Sequence, residues 1–407
     1  MGEDAEDEPV RPGGGTGLRL LALLGTRPEA VKLVPIVRAA GRHGDVSVRL
    51  VATGQHPAPM LEVLDRFGLA LDGAAAPFGT GRSLSELAAG SLLGLAGVLE
   101  SARPDVVLVQ GDTTSAFAGA LAAFHAGVPV AHVEAGLRTH DPARPFPEEM
   151  NRRLIDALAT HLFPPTALAA ANLAAEGLAG PETFVTGNTI VDALRAILAA
   201  GGARAGGPAG AALDDPRWAR RVLVTAHRRE SWGAPMDALA AGIADAARGA
   251  PDALFLVPLH PNPLVRRSFA LPDAPPNLVV VDPLPYASFV AALARSDLAL
   301  TDSGGVLEEA TALGKPVLVL RERTERPEAL EAGLARLVGV TRAGVAGAAA
   351  AALASLRSGV PARPSDVFGD GRAGERTVAW LRWRYGLAAG PPECFTPSAA
   401  ARDVAAA

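Results

Sequence analysis

Hydrophobic residues in this chain come in short, nearly unbroken runs, and each run ends in a polar or glycine-containing segment. Leu18–Leu24, Val48–Thr53, Val106–Gln110 and Val130–Val133 are such runs in the first half. Arg221–Thr225, Leu254–Val257, Leu278–Val281, Leu298–Thr301 and Val317–Leu320 form a second series. Runs of this length without polar alternation predict strands buried on both faces, as in parallel sheets. Between them the apolar spacing turns helical, from about Ala30, over Met60–Phe67, over Leu84–Ser101 and over Ser115–His125. Repeated strand–helix–strand alternation predicts an α/β chain with doubly wound parallel sheets. Two such series predict two Rossmann-like domains facing a cleft, at 17–186 and 187–371, with a helix at 372–388 packing back on the first. Residues 1–16, acidic and then glycine-rich, and 389–407 are expected to be mobile tails. Ala199–Ala212, rich in Gly and Ala, is expected to be a surface loop.

One stretch states the chemistry most compactly: Leu298–Leu320, LALTDSGGVLEEATALGKPVLVL, which predicts strand, turn, helix and strand. Ser303, Gly304 and Gly305 open the helix, where outward backbone N–H groups and the helix dipole suit a phosphate. Glu308 and Glu309 follow, and one of them can reach sugar hydroxyls beyond the phosphates. An ordinary capped helix would show the same turn, so the argument needs the other polar clusters.

Composition narrows the class. A chain of 407 residues with 49% hydrophobic and 20% charged residues is long enough for two domains and globular in kind. A net charge of −5 carries no basic footprint for nucleic acid. The lone Cys394 excludes an internal disulfide and a cysteine zinc site, and no metal is expected. The start, MGEDAEDEPV, lacks the basic and apolar regions of a secretion signal, and no run was long enough to suggest a membrane span, so a cytoplasmic location is expected.

Four polar clusters sit beside predicted strand ends in the first half. Gly25-Thr26-Arg27-Pro28-Glu29-Ala30-Val31-Lys32 places Arg27 and Lys32 at a helix start, a common anion site, but lacks the glycines of a dinucleotide fingerprint. Gln110-Gly111-Asp112-Thr113-Thr114 offers Asp112, either as a chemical group or as the cap of the next helix. The segment His132–Thr139 offers Glu134, with a salt bridge to Arg138 as the plain alternative. Pro145–Arg152 starts a helix with Glu148. Three carboxylates at one sheet mouth would repel, raising at least one pKa toward the range useful for acid–base work. In the second half His227 sits among Arg228 and Arg229 at a strand end, His260 follows another strand, and Arg321–Pro327 is arginine-rich.

These segments together resemble the non-hydrolysing UDP-N-acetylglucosamine 2-epimerase family. The matching stretches are GTRPEAVKLVP, VLVQGDTTSAFAGALAAF, HVEAGLRT, PFPEEMNR, VTGNTIVDAL, VTAHRRES, DSGGVLEEATALGKPVLVLRERTERPEA and GDG at Gly369–Gly371. The resemblance implies a GT-B-like pair of domains and inversion of C2 of UDP-N-acetylglucosamine, by elimination of UDP and its re-addition, without a cofactor. It implies Asp112, Glu134 and Glu148 as acid–base carboxylates and His227 beside the diphosphate and the reacting sugar. Arg27, Lys32, Ser303, Gly304, Gly305, Glu309 and Arg326 are implied as substrate ligands, with Tyr286 and Phe289 at the uracil pocket. Gln55, Arg82, Arg228 and His260 match a regulatory second substrate site, but the segment Gln55–Met60 carries one extra residue, and Ser83 stands where glutamine is common. The implied partners are a UDP-sugar and a second copy of the chain, with neither nucleic acid nor membrane. A 2-epimerase of a diacetamido uronic acid type UDP-sugar would keep most of these motifs. A GT-B glycosyltransferase would share the UDP cradle but needs only one base, and a non-catalytic nucleotide-sugar sensor would not need the three carboxylates.

Overall fold

In the computed structural model, which describes residues 17–54, 57–75, 83–201, 204–357 and 363–398, the apolar runs become two six-stranded sheets. Every strand pair is parallel. The chain divides into two compact units. The first holds residues up to Arg138, Pro147–Ala193 and Gly369–Thr396, and the second holds Thr139–Phe146, Leu194–Phe368 and the residues from Pro397 on.

The first series runs β1 (Leu18–Leu24), α1 (Arg27–Ala40), β2 (Val46–Ala52), α2 (Pro57–Arg66), β3 (Gly73–Ala74), α3 (Leu84–Ala102), β4 (Val106–Gln110) and α4 (Thr114–His125). It continues through β5 (Val130–Val133), α5 (Glu148–Leu158), β6 (His161–Phe163), α6 (Ala167–Ala175) and α7 (Thr189–Ala199). The sheet order is β3-β2-β1-β4-β5-β6. Strands β4 and β5 are buried at every position, which is why their sequences show no polar alternation.

The second series runs α8 (Gly207–Asp214), β7 (Arg220–Thr225), α9 (Ala234–Gly249), β8 (Ala253–Pro258), α10 (Pro263–Phe269), β9 (Leu278–Val281), α11 (Tyr286–Arg295) and β10 (Leu298–Thr301). Then come α12 (Gly304–Ala312), β11 (Val317–Val319), α13 (Glu328–Glu331), β12 (Ala335–Leu337) and α14 (Arg342–Arg357). Its order, β12-β11-β10-β7-β8-β9, repeats the first sheet's connectivity. In both sheets the order reverses at the first strand of the series. The loops after β1 and β4, and those after β7 and β10, therefore leave in opposite directions and open a crevice at the carboxyl ends, where ligands of doubly wound sheets bind.

The last helix, α15 (Ala373–Arg384), belongs to the first unit and packs on α1. The Asp192 carboxylate accepts the N–H groups of Ala373 and Gly374 at 3.2 and 2.8 Å, capping the helix from α7. Trp380 is 2% exposed and stands edge-on to His161 and Phe163.

Three expectations change. The segment Ala199–Ala212 is not simply a loop, because α8 starts at Gly207 and buries Ala209, Gly210 and Leu213. Small residues read as low complexity there are the ones that let the helix sit close. Residues 389–398 carry more structure than their composition suggests. Phe395 is buried, its N–H donates to the Val185 carbonyl at 2.9 Å, and Arg376 lies over its ring. Helix α3 does have the length and composition to cross a membrane. It is instead a layer helix that packs on α4, buries Ser91, Leu95 and Leu99, and starts with a full capping box between Ser83 and Glu86. The expected tail at 1–16 lies outside the described residues.

The α1–α15 contact gives a stability test. A Cβ added at Gly374 would sit 2.7 Å from the Pro35 backbone, so the helices approach through the missing side chain. Gly374→Ala should destabilise the protein by about 1–3 kcal/mol through overpacking, read by urea denaturation followed by tryptophan fluorescence.

Candidate functional site

In the first unit the turn after β1 and the turn after β4 flank the point of reversal. They are joined by Glu29, which is 2% exposed at the start of α1. Its carboxylate accepts the Gly25 N–H at 2.9 Å and the Thr113 hydroxyl at 2.7 Å. Burial pushes this carboxyl up to about 7, and the hydrogen bonds from Thr113, Thr26 and Gly25 only partly oppose that. Thr113, not Asp112, caps α4, accepting the Ala116 N–H at 3.0 Å. Asp112 is thereby left to point elsewhere.

Two of the three expected carboxylates, Asp112 and Glu134, are held in ion pairs. Asp112 Oδ2 accepts from Arg152 Nε and Nη2 at 3.0 and 2.5 Å, and its backbone carbonyl accepts from Asn151 at 2.9 Å. Glu134 pairs with Lys32 and accepts from Gln110 at 2.5 Å and Asn188 at 3.1 Å. Glu134 has φ of 72°, a left-handed backbone that costs a non-glycine residue free energy and is concentrated at functional sites. Arg138, the alternative partner for Glu134, pairs with Asp156 and Glu176. Glu148 is the first residue of α5, and Arg27 the first of α1, both half-buried.

In the second unit the Asp302 carboxylate bridges the two loops of the reversal. It accepts the N–H groups of His227 and Arg228 at 2.6 and 2.7 Å, and His227 Nδ1 lies 3.3 Å from it. His227 stacks on His260 with ring centroids 5.3 Å apart. Arg228 donates to the Asp302 carbonyl at 3.2 Å and lies 3.7 Å from Glu325. Ser303 is the N-cap residue of α12, and Gly304 and Gly305 are its first two residues. A Cβ at Gly304 would lie 2.2 Å from Arg326 Nη1, so any side chain there would have to displace that guanidinium. Arg326 is 5% exposed and ion-paired with Glu308 and Glu325, both at 2.5 Å. Glu309 is buried and accepts the Tyr286 hydroxyl at 2.8 Å, while Phe289 is buried on the same helix as Tyr286.

Thus Arg27, Lys32, Asp112, Glu134 and Glu148 share the first unit, and His227, Tyr286, Phe289, Ser303, Gly304, Gly305, Glu309 and Arg326 share the second. Of the four residues matched to a regulatory site, Arg228 and His260 flank His227, and Gln55 and Arg82 lie outside the described residues. Sequence reasoning passed over Glu29, Gln110, Asn151, Arg152, Asn188 and Asp302. Each lies within a motif that had been singled out, so adjacency was the available signal, but their partners are set by the fold. Among the described residues no group of three or more His, Cys, Asp or Glu side chains could hold a metal ion.

Comparison with known proteins converges on one family. The family model described as UDP-N-acetylglucosamine 2-epimerase matches residues 38–382. The UDP-N-acetylglucosamine 2-epimerase of Bacillus subtilis (strain 168) is 38% identical over 381 residues, covering 93% of this chain and 99% of that protein. The crystal structure of the Neisseria meningitidis UDP-GlcNAc 2-epimerase bound to UDP-GlcNAc matches with a TM-score of 0.82 at 36% identity, covering 89% of this chain and 98% of that one. The glycosyltransferase SnogD from Streptomyces nogalater, 20% identical with a TM-score of 0.53 over 90% of this chain and 99% of its own, shares the fold alone.

The buried Glu29 generates a pH prediction. Its folded-state pKa is raised from 4.5 to about 7, so its contribution to stability is full below about 4.5 and is lost as pH rises through about 7. Asp192, raised by burial from 3.8 to about 7, acts with the same sign. Glu29→Gln should remove only the Glu29 share. The stability of the wild type relative to the variant, from urea denaturation, should fall between about pH 4.5 and about pH 7.

Proposed function

The chain belongs to the UDP-N-acetylglucosamine 2-epimerase family, and on that premise we propose that it interconverts UDP-N-acetylglucosamine and UDP-N-acetylmannosamine. The observation that carries the reading is the placement of two different chemistries at two reversal points of the same connectivity. The N–H groups of Gly304 and Gly305 at the start of α12 suit the diphosphate, beside Ser303, whose own N–H donates to the Thr301 hydroxyl at 2.9 Å, with Glu309 for the ribose and Tyr286 and Phe289 for the base. Arg326 shapes the wall of that cradle, and His227 faces the phosphates beside it. Asp112, Glu134 and Glu148 carry the proton transfers, with Lys32 and Arg27 as the cations of the same unit.

In the proposed reaction a carboxylate removes the proton from C2 while the C1–O bond breaks. The electron pair of the C2–H bond forms the C1–C2 double bond of a 2-acetamidoglucal, and UDP leaves with the C1–O pair. A proton is then returned to C2 on the opposite face, and UDP attacks C1. The C2 proton is not next to a carbonyl, so stabilising charge on the departing UDP has to carry much of the barrier. A 2-epimerase acting on a diacetamido uronic acid UDP-sugar would use the same groups. A glycosyltransferase shares the fold but would leave the second and third carboxylates without a task.

Purified protein should equilibrate the two epimers with no added nicotinamide or acceptor, and in deuterated buffer C2 should take up deuterium by proton NMR. Asp112→Asn, Glu134→Gln and Glu148→Gln should each lower turnover by about 100- to 10,000-fold and change UDP affinity far less. Conversion with the C2 proton fully retained, or near wild-type turnover in all three variants, would reject the mechanism.

A homodimer in solution is proposed as the working state. The outer face of α3 and α4 supports this, since Leu93 is 77% and Phe124 59% exposed on neighbouring helices. Light scattering should give twice the chain mass, and Leu93→Glu with Phe124→Glu should give monomer. A wild-type monomer would exclude it.

A further inference from the structure

Helix α5 does more than supply Glu148. Along one face it holds the Gly111–Asp112 turn at several points. Asn151 takes the Asp112 carbonyl and Arg152 takes its carboxylate. One turn beyond Arg152, Asp156 reaches the same turn through a second side chain. Asp156 Oδ1 lies 2.6 Å from His132 Nδ1, and His132 Nε2 lies 2.8 Å from the carbonyl oxygen of Gly111. Positions 148, 152 and 156 are four apart, so they form a single stripe on the helix.

Both ring nitrogens of His132 face acceptors. The Gly111 carbonyl can only accept. The Asp156 carboxylate also takes Arg138 Nη2 at 2.7 Å and the Gly136 N–H at 3.3 Å. The Nε2–H therefore donates to the Gly111 carbonyl, and Nδ1 ties the ring to Asp156. It is fully buried, as are the side chains of Asp156 and Arg138. The charged groups around it are Asp156 from α5, Arg138 from the segment after β5, and Glu176 from the end of α6, which also pairs with Arg153 and is held down to about 2, chiefly by its hydrogen bonds from Arg138. Gly111 itself has φ of 69°, and its N–H donates to the Val133 carbonyl at 3.0 Å. With the His132 bond on its carbonyl, both sides of this residue are fixed to β5.

We propose that His132 is a positioning residue for epimerisation: anchored to Asp156 through one ring nitrogen, it holds the Gly111 carbonyl with the other, and so fixes the peptide plane from which Asp112 projects. The proposal rests on the reading of Asp112 as an acid–base group. It makes α5 a single cassette that carries one carboxylate and aims another. Its effect should appear in the chemical step and not in nucleotide binding.

The test separates the two ring nitrogens. In His132→Gln the amide can replace the Nε2 donor to Gly111, whereas in His132→Asn it replaces only the Nδ1 tie to Asp156. A misplacement of about 1 Å can cost on the order of 100-fold, so His132→Asn should lower kcat about 10- to 100-fold with KM within about 3-fold, and His132→Gln should recover most of the loss. UDP affinity by calorimetry should match wild type in both. Equal kcat in the two variants, or a loss confined to KM, overturns the proposal. If neither variant folds, nitrogen-15 NMR of the wild type decides. A slowly exchanging Nε2–H of His132 with a coupling across its hydrogen bond to the Gly111 carbonyl supports the proposal, and a His132 ring without that bond overturns it. A wild-type chain that does not turn over UDP-N-acetylglucosamine rejects the functional reading instead, and the ring signal distinguishes that case because it needs no turnover.

Discussion

The order of strands in each sheet sets where chemistry can happen. Parallel strands send all their carboxyl ends one way, and a reversal of order at β1 and at β7 parts the loops there. The price of that opening is a gap between two adjacent loops, and in each unit a buried carboxylate spans it. Glu29 ties the Gly25 turn to Thr113, and Asp302 ties its own turn to the His227 and Arg228 amides. The two differ in origin. Glu29 comes from the helix after the first strand, whereas Asp302 comes from the loop after the fourth. Equivalent mechanical needs at equivalent places are met by unrelated residues.

Charge compensation governs the first unit. Lys32 and Arg152 neutralise Glu134 and Asp112 separately, so the carboxylates need not tune one another by repulsion. That changes how acid–base work has to be explained. In the proposed mechanism, a substrate that displaces those partners or excludes water around them would have to release each carboxylate for proton transfer. The left-handed backbone at Glu134 suggests that its aim was favoured over local comfort.

Much of the fold was legible because parallel sheets leave an unmistakable trace. The runs Val106–Gln110 and Val130–Val133 are buried at every residue, and no amphipathic helix reads that way. Motifs at the ends of these runs were legible for the same reason, since a loop leaving a buried strand is where polar residues gather. The partners were not legible. His132 meets Asp156 across 24 residues, and Glu29 meets Thr113 across 84, distances over which sequence pattern carries no register. Helix α8 was hidden because Gly and Ala serve close packing and loops equally well, and Phe395 because a lone aromatic in a tail shows no period.

Arg326 illustrates how a fold can redistribute a role. An arginine near a phosphate site is naturally read as a clamp, yet its guanidinium lies against Gly304 and is shared between Glu308 and Glu325. Glu325 is itself shared with Arg321 and Arg228, at 2.8 and 3.7 Å, so Arg326 sits inside a network of ion pairs. In the proposed reading, attraction for a diphosphate at this helix start comes from the N–H groups of Gly304 and Gly305 and from the dipole of α12. Arg326 serves that arrangement by filling the space under Gly304 and fixing the helix start. Backbone donors of this kind need no reorganisation as charge develops on the leaving group, which is the property an elimination of UDP would demand.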